Sequence, residues 1–183
     1  MPEAGPAADG GAIDGPTVLT GPVSCAPGIP VPGQLYGFED GVDGWHALHG
    51  GGTVAPSGSF ATSCSASLQV TTHLDDWYGV ATPAPPLPFP MTGVHKLLLD
   101  VTSTNAGTME AIAIQFGSDD HWCQSAFTHA GPGTTTTVSV DVGALLASPA
   151  ACGSPPSDPT SMRALWVFLS GGGVFYVDNV RTE

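Results

Sequence analysis

From Gln34 onward, short apolar runs alternate with clusters of Gly, Pro, Asn and Asp, and no stretch of useful length repeats apolar residues at a helical period. Ten segments read as β-strands: Gln34–Glu39, Gly52–Ala55, Ala66–Thr71, Tyr78–Ala81, Val94–Thr102, Met109–Phe116, Trp122–Thr128, Thr134–Val140, Met162–Leu169 and Gly173–Arg181. The one helical hint is "DVGALLAS", Asp141 to Ser148. Successive strand residues point to opposite sides, so in "EAIAIQF" Ile112, Ile114 and Phe116 share one face and Ala111, Ala113 and Gln115 the other. "RALWVFLS" is almost continuously apolar, which suits a strand covered on both faces, or covered on one and ligand-facing on the other. "LLLDV" reads the same way. Many short strands with hardly a helix predict an all-β fold, an antiparallel β-sandwich of the jelly-roll type.

Composition divides the chain before the first strand. Residues 1–33 are rich in Gly, Pro and Ala, and we read 1–15 as a linker and 16–183 as a single sandwich whose N-terminal arm is tied down by Cys25. No repeat appears, and 183 residues suit one domain with a core of its own. The opening "MPEAGPAADGGAIDGP" has no basic region followed by an apolar core, so it reads as a linker from a larger secreted chain rather than as a signal peptide. No run of apolar residues is long enough to span a bilayer.

Charge narrows the partners. Three basic residues stand against sixteen acidic ones, a formal net charge of −13. So few cations cannot neutralise a phosphate backbone or hold an anionic bilayer, which removes nucleic acid and membrane from consideration. Neutral ligands such as sugars, and divalent cations, remain compatible. The four cysteines, at 25, 64, 123 and 152, are even in number and lack any CxxC spacing. Two disulfides formed in an oxidising, extracellular compartment account for them. Three connectivities are open; nearest neighbours in sequence would pair Cys25–Cys64 and Cys123–Cys152.

Two acidic positions carry further weight. In the closing "GVFYVDNVR" a carboxylate, Asp178, stands on a strand of a packed sheet, where an unpaired charge is costly. Arg181, or a cation shared with Glu39, could serve it. Taken together, "FEDGVDGW", the "WYGV" that follows a "SLQV" strand, and "GVFYVDNVR" resemble the carbohydrate-binding modules of the calcium-bearing β-sandwich type found on secreted cellulases, mannanases and xylanases. The resemblance runs from about Leu35 to Arg181. It implies a structural Ca2+ held by Glu39 and Asp178 with neighbouring backbone carbonyls, a monomeric module, and an appended catalytic domain.

A pyranose ring offers an apolar face of C–H groups and a rim of hydroxyls, and so asks for a flat aromatic flanked by amide, carboxylate or imidazole groups. Trp166, inside "ALWVFL", reads as core. Trp45, Trp77 and Trp122 have polar neighbours and are the platform candidates, with Gln124, Asp76, Asp120 and His121 as hydrogen-bonding partners. Trp122 and Gln124 share a strand face, and Cys123 points the other way. The expected function is non-catalytic binding of a β-linked plant polysaccharide: β-mannan, β-glucan or xylan. The alternative is a small jelly-roll glycosidase or lyase using Asp75/Asp76 with Asp119/Asp120, since glycosidases work with paired carboxylates. A galactose-binding-like adhesion module with protein partners is a third possibility.

Overall fold

A computed structural model describes residues 33–47, 52–72, 77–81, 89–105, 110–117, 121–170 and 173–183, with backbone alone at 77–81 and 169–170. The expected linker at 1–15, Cys25, Asp75, Asp76, Asp119 and Asp120 lie outside these residues.

Among the described residues, twelve strands and two short helices follow in chain order: β1 (Gln34–Tyr36), β2 (His46–Ala47), β3 (Thr53–Ser57), β4 (Ser67–Thr72), β5 (Trp77–Ala81), β6 (Phe89–Pro90), β7 (Lys96–Ser103), β8 (Glu110–Phe116), β9 (His121–Phe127), β10 (Thr135–Asp141), α1 (Val142–Leu146), α2 (Pro149–Cys152), β11 (Ser161–Ser170) and β12 (Gly173–Thr182). Every expected strand is present within two residues of its bounds, except that β1 stops at Tyr36, two residues before Phe38 takes a left-handed φ of 62°. The first sheet runs β10-β7-β12-β4-β3 with β1 paired to β12; the second runs β2-β5-β11-β8-β9 with β6 paired to β11. All pairings are antiparallel. The architecture is the expected β-sandwich.

The core is the interdigitation of the two inner faces. Leu68, Val70, Leu97, Leu99, Val101, Phe175 and Val177 come from the first sheet; Ile112, Ile114, Phe116, Leu165 and Val167 come from the second. Each such side chain removed from water contributes roughly 1.5–3 kcal/mol. β7 is buried along nearly its whole length, as expected of a central strand covered on both sides. At the other end of the burial scale, Asp141 caps α1 by accepting from Ala144 N, and Ser148 caps α2 by accepting from Ala151 N. The two helices follow β10 in the chain, where α1 packs against β9 and β10 and α2 against β9. Cys152 at the end of α2 bonds Cys123 of β9 as expected. Cys64 is also disulfide-bonded, and its expected partner, Cys25, lies outside the described residues.

The segment after β1 behaves differently from the expectation for its tryptophan. Val42 O accepts from Trp45 N at 2.8 Å, and the two residues between them, Asp43 and Gly44, both have positive φ, as a type I′ turn requires. The turn folds the indole back under the sheet. Trp45 is 1% exposed and packs edge-on against Tyr36 (5.4 Å between centroids) and Phe38 (5.6 Å). Trp45 is therefore a core residue and not a sugar platform: its polar sequence neighbours belong to the turn, and its ring does not.

Candidate functional site

Strand alternation leaves the outer face of the second sheet to a small set of residues. On β8, Ile112, Ile114 and Phe116 point into the core, which turns Ala111, Ala113 and Gln115 outward. On β11, Leu165 and Val167 are fully buried, so Ala164, Trp166 and Phe168 lie outward. On β9, Cys123 is fully buried, so Trp122 and Gln124 lie outward, as the alternation predicted. Antiparallel register then sets these residues in rows. Trp122 lies opposite Gln115, and Gln115 opposite Ala164; Gln124 lies opposite Ala113, and Ala113 opposite Trp166.

Three aromatic rings are linked across this face. The Trp122 and Trp166 rings are 4.2 Å apart at 45°, and Trp166 meets Phe168 at 5.6 Å and 70°. All three are half-buried. The alanines between them are buried although they face outward, because small side chains sit below the level of their aromatic neighbours. Trp166 is thus not the core residue that its apolar neighbours implied. Its neighbours in sequence are core, and the residue itself faces away from them. Phe168 belongs to the same face and was missed for the same reason; strict alternation through "RALWVFLS" from Leu165 would have found both.

The other expected binding residues divide. Gln124 is exposed beside the aromatic rows, and it also borders a groove of about 280 Å³ lined by Ser139, Asp141 and Ser148 at the β10 and α1 side. His121 occupies the strand position of Cys123, not that of Trp122, and its Nε2 lies 2.9 Å from Cys152 O. It anchors α2 and does not join the aromatic face. Trp77 pairs through its backbone with Ser170, but its side chain is outside the description, as are Asp76 and Asp120. Glu110 points inward with Ile112 and is 2% exposed. Its Oε1 lies 3.1 Å from His129 Nε2, and its Oε2 accepts His129 N at 2.9 Å. Burial raises its pKa against the opposing pull of His129. Among the described residues, the outer face formed by β8, β9 and β11 carries no carboxylate.

Glu39 and Asp178, the expected calcium ligands, both accept hydrogen bonds from N–H and O–H donors. Asp178, 1% exposed, accepts from Thr62 N at 2.6 Å, Ser63 N at 2.7 Å, Ser63 Oγ at 2.9 Å and Asn179 N at 2.6 Å. Glu39 accepts from Ser65 N and Ala66 N, both at 2.9 Å, and from Ser65 Oγ at 2.6 Å. A cation at Asp178 would have to displace hydrogens that point at the same lone pairs, whereas Glu39 Oε2 accepts, among the described residues, only the Ser65 hydroxyl. Among the described residues, no three His, Cys, Asp or Glu side chains gather as a metal centre. As arranged, both carboxylates clamp the 62–66 segment, and Asp178 has no acceptor site left for a cation. Burial raises the Asp178 pKa despite the hydrogen bonds from Ser63, Thr62 and Asn179. Desolvation also pulls Glu39 upward, but its bonds from Ser65 and Ala66 outweigh it and leave the carboxyl below its ordinary value.

No family model matches the chain, and no curated protein resembles it in sequence. Solved structures do resemble it in fold. A family 11 carbohydrate-binding module from Clostridium thermocellum, in complex with a β-1,3-1,4-mixed-linked tetrasaccharide, superposes with a TM-score of 0.63 at 15% identity over 82% of this chain and 94% of that one. A module specific for non-crystalline cellulose gives 0.58 at 16% identity over 84% and 94%. A family 22 xylan-binding domain gives 0.51 at 22% identity over 84% and 96%. The chain has the fold of the β-sandwich carbohydrate-binding modules.

Proposed function

We propose that the protein is a non-catalytic module that binds a β-linked polysaccharide on the outer face of its second sheet. The observation that carries this reading is the linked set Trp122, Trp166 and Phe168, three half-exposed rings with Gln115 and Gln124 at their side. Aromatic faces take the C–H side of a pyranose, and the amides take its hydroxyls. The alanine floor leaves room for a ring to approach. The acidic chain, at −13, disfavours polyanions and leaves neutral glycans such as β-glucan, xylan or β-mannan as ligands. The fold likeness supports a carbohydrate ligand without choosing among these.

In this reading the module is secreted, monomeric and tethered to a hydrolase. Its disulfide suits an oxidising compartment. Holding the enzyme at its substrate raises effective concentration, which is a contribution without chemistry. Affinity electrophoresis against mixed-linkage β-glucan, xylan and mannan, run beside a reducing-sugar assay, tests it. We expect retardation by at least one polymer and no release of sugar. Trp122→Ala and Trp166→Ala should each cost about 1–3 kcal/mol of binding, the worth of one ring stacked on a planar ligand face, with circular dichroism unchanged. Product release, or full retardation of both variants, would overturn the proposal.

A further inference from the structure

The second sheet has one irregularity in its otherwise regular pairing. Along β11, Met162 pairs with Phe116 and Ala164 with Gln115, so Arg163 is an extra residue with no opposite number on β8. Met162 and Leu165 both point into the core, at 2% and 0% exposure. Two residues therefore fill the outward side between them where regular alternation allows one. Arg163 is exposed there, beside the Ala164–Gln115–Trp122 row. A bulge of this kind re-aims a side chain, and such bulges concentrate near functional sites.

Among the described residues, the guanidinium is also unengaged. Of the three basic residues, Arg181 donates to Asn179 O at 2.9 Å and stands 3.7 Å from Asp100. Among the described residues, Arg163 makes neither an ion pair nor a hydrogen bond, in a chain with sixteen acidic groups. With strands about 4.8 Å apart, Trp122 on β9 lies roughly 10 Å across the sheet, about the span of two sugar rings.

We propose that Arg163 makes the aromatic face selective for polysaccharides whose neutral backbone carries isolated carboxylate groups, that is, uronic acid substituents. The guanidinium fork matches a carboxylate with two parallel hydrogen bonds, and these are about twice as strong as bonds to neutral hydroxyls. The net charge of −13 works against a continuous polyuronate. An isolated carboxylate within the screening length of about 8 Å from Arg163 feels chiefly that one cation. This inference rests on the aromatic face being the glycan site.

The test titrates the wild type, Arg163→Gln, Arg163→Lys and Trp122→Ala with three polymers. These are a xylan bearing glucuronic acid side groups, the same xylan after reduction of its carboxyls to alcohols, and mixed-linkage β-glucan. We expect Arg163→Gln to weaken binding of the uronate xylan about tenfold, the worth of one charge-assisted contact, and to leave the other two polymers unaffected. Arg163→Lys should fall between. Equal affinity of the wild type for the two xylans, absence of binding to the uronate xylan, or an equal loss on all three polymers in Arg163→Gln would overturn the inference. Trp122→Ala separates the two claims. If it binds every polymer as the wild type does, the aromatic face is not the glycan site and the inference falls with it; if it weakens all three while Arg163→Gln has no selective effect, the face stands and the role of Arg163 alone is overturned.

Discussion

Trp45 and Trp166 exchange the roles that their sequence neighbours imply. Trp45 stands in "VDGWHALH" among polar groups, yet the type I′ turn at Asp43–Gly44 buries it against Tyr36 and Phe38. Trp166 stands among apolar residues and faces outward. For a strand residue the deciding quantity is parity relative to a buried neighbour, and for a turn residue it is where the turn points the chain. Trp45→Ala should therefore cost about 3–5 kcal/mol of stability through the cavity it leaves. Trp45 Nε1 is buried without a hydrogen-bond partner among the described residues, so Trp45→Phe should retain much of that stability. Urea unfolding measures both variants. Neither should change polysaccharide retardation once folded, and a selective loss of binding in a stable Trp45 variant would contradict the core assignment.

At the scale of elements, the feature with most consequence is the 62–66 segment, held against the first sheet by carboxylates. Asp178 and Asp100 face each other across β12 and β7, and Thr62 Oγ1 lies 2.6 Å from Asp100 Oδ2 and 3.2 Å from Asp178 Oδ2. Thr137 Oγ1 and Asn179 Nδ2 also donate to Asp100 at 2.7 and 3.2 Å, and Arg181 stands 3.7 Å from it. Glu39 and Asp178 respond to acid in opposite senses. The folded state lowers the Glu39 pKa, so its stabilisation is present above the unfolded pKa and fades as pH falls through the folded one. The folded state raises the Asp178 pKa, so its stabilisation is complete below the unfolded pKa and fades as pH rises through the folded one. Glu39→Gln should then flatten the stability profile at and below about pH 4.5, where the wild-type carboxylate takes up its proton. Denaturant midpoints collected across that range check it; a profile as steep as the wild type's would show that the Glu39 bonds do not persist in solution. The elements themselves were largely legible in the sequence. Strand after strand appears where apolar alternation and turn residues place it, and "DVGALLAS" forms α1 with Asp141 as its cap. β2 and β6 escaped notice because two-residue strands have no periodicity to detect.

For the whole molecule, the electrostatic balance and the clamp lead to one prediction that separates this chain from its calcium-bearing resemblance. Glu39 and Asp178 already hold backbone N–H and hydroxyl donors, so EDTA should leave the thermal unfolding midpoint unchanged. A drop on chelation that added Ca2+ restores would mean that the 62–66 segment turns its carbonyls toward a cation instead. By itself, the sequence determined the fold class, most strand positions and the facing of Trp122 with Gln124, and it offered Cys123–Cys152 as the nearest-neighbour pairing among three open connectivities. Each of these depends on local periodicity or on short separation along the chain. The membership of the aromatic face was decided only by tertiary structure. Bringing Trp166 and Phe168 beside Trp122, placing Arg163 at a bulge and turning Trp45 inward depend on strand register and turn geometry, which are set by contacts between residues far apart in the chain.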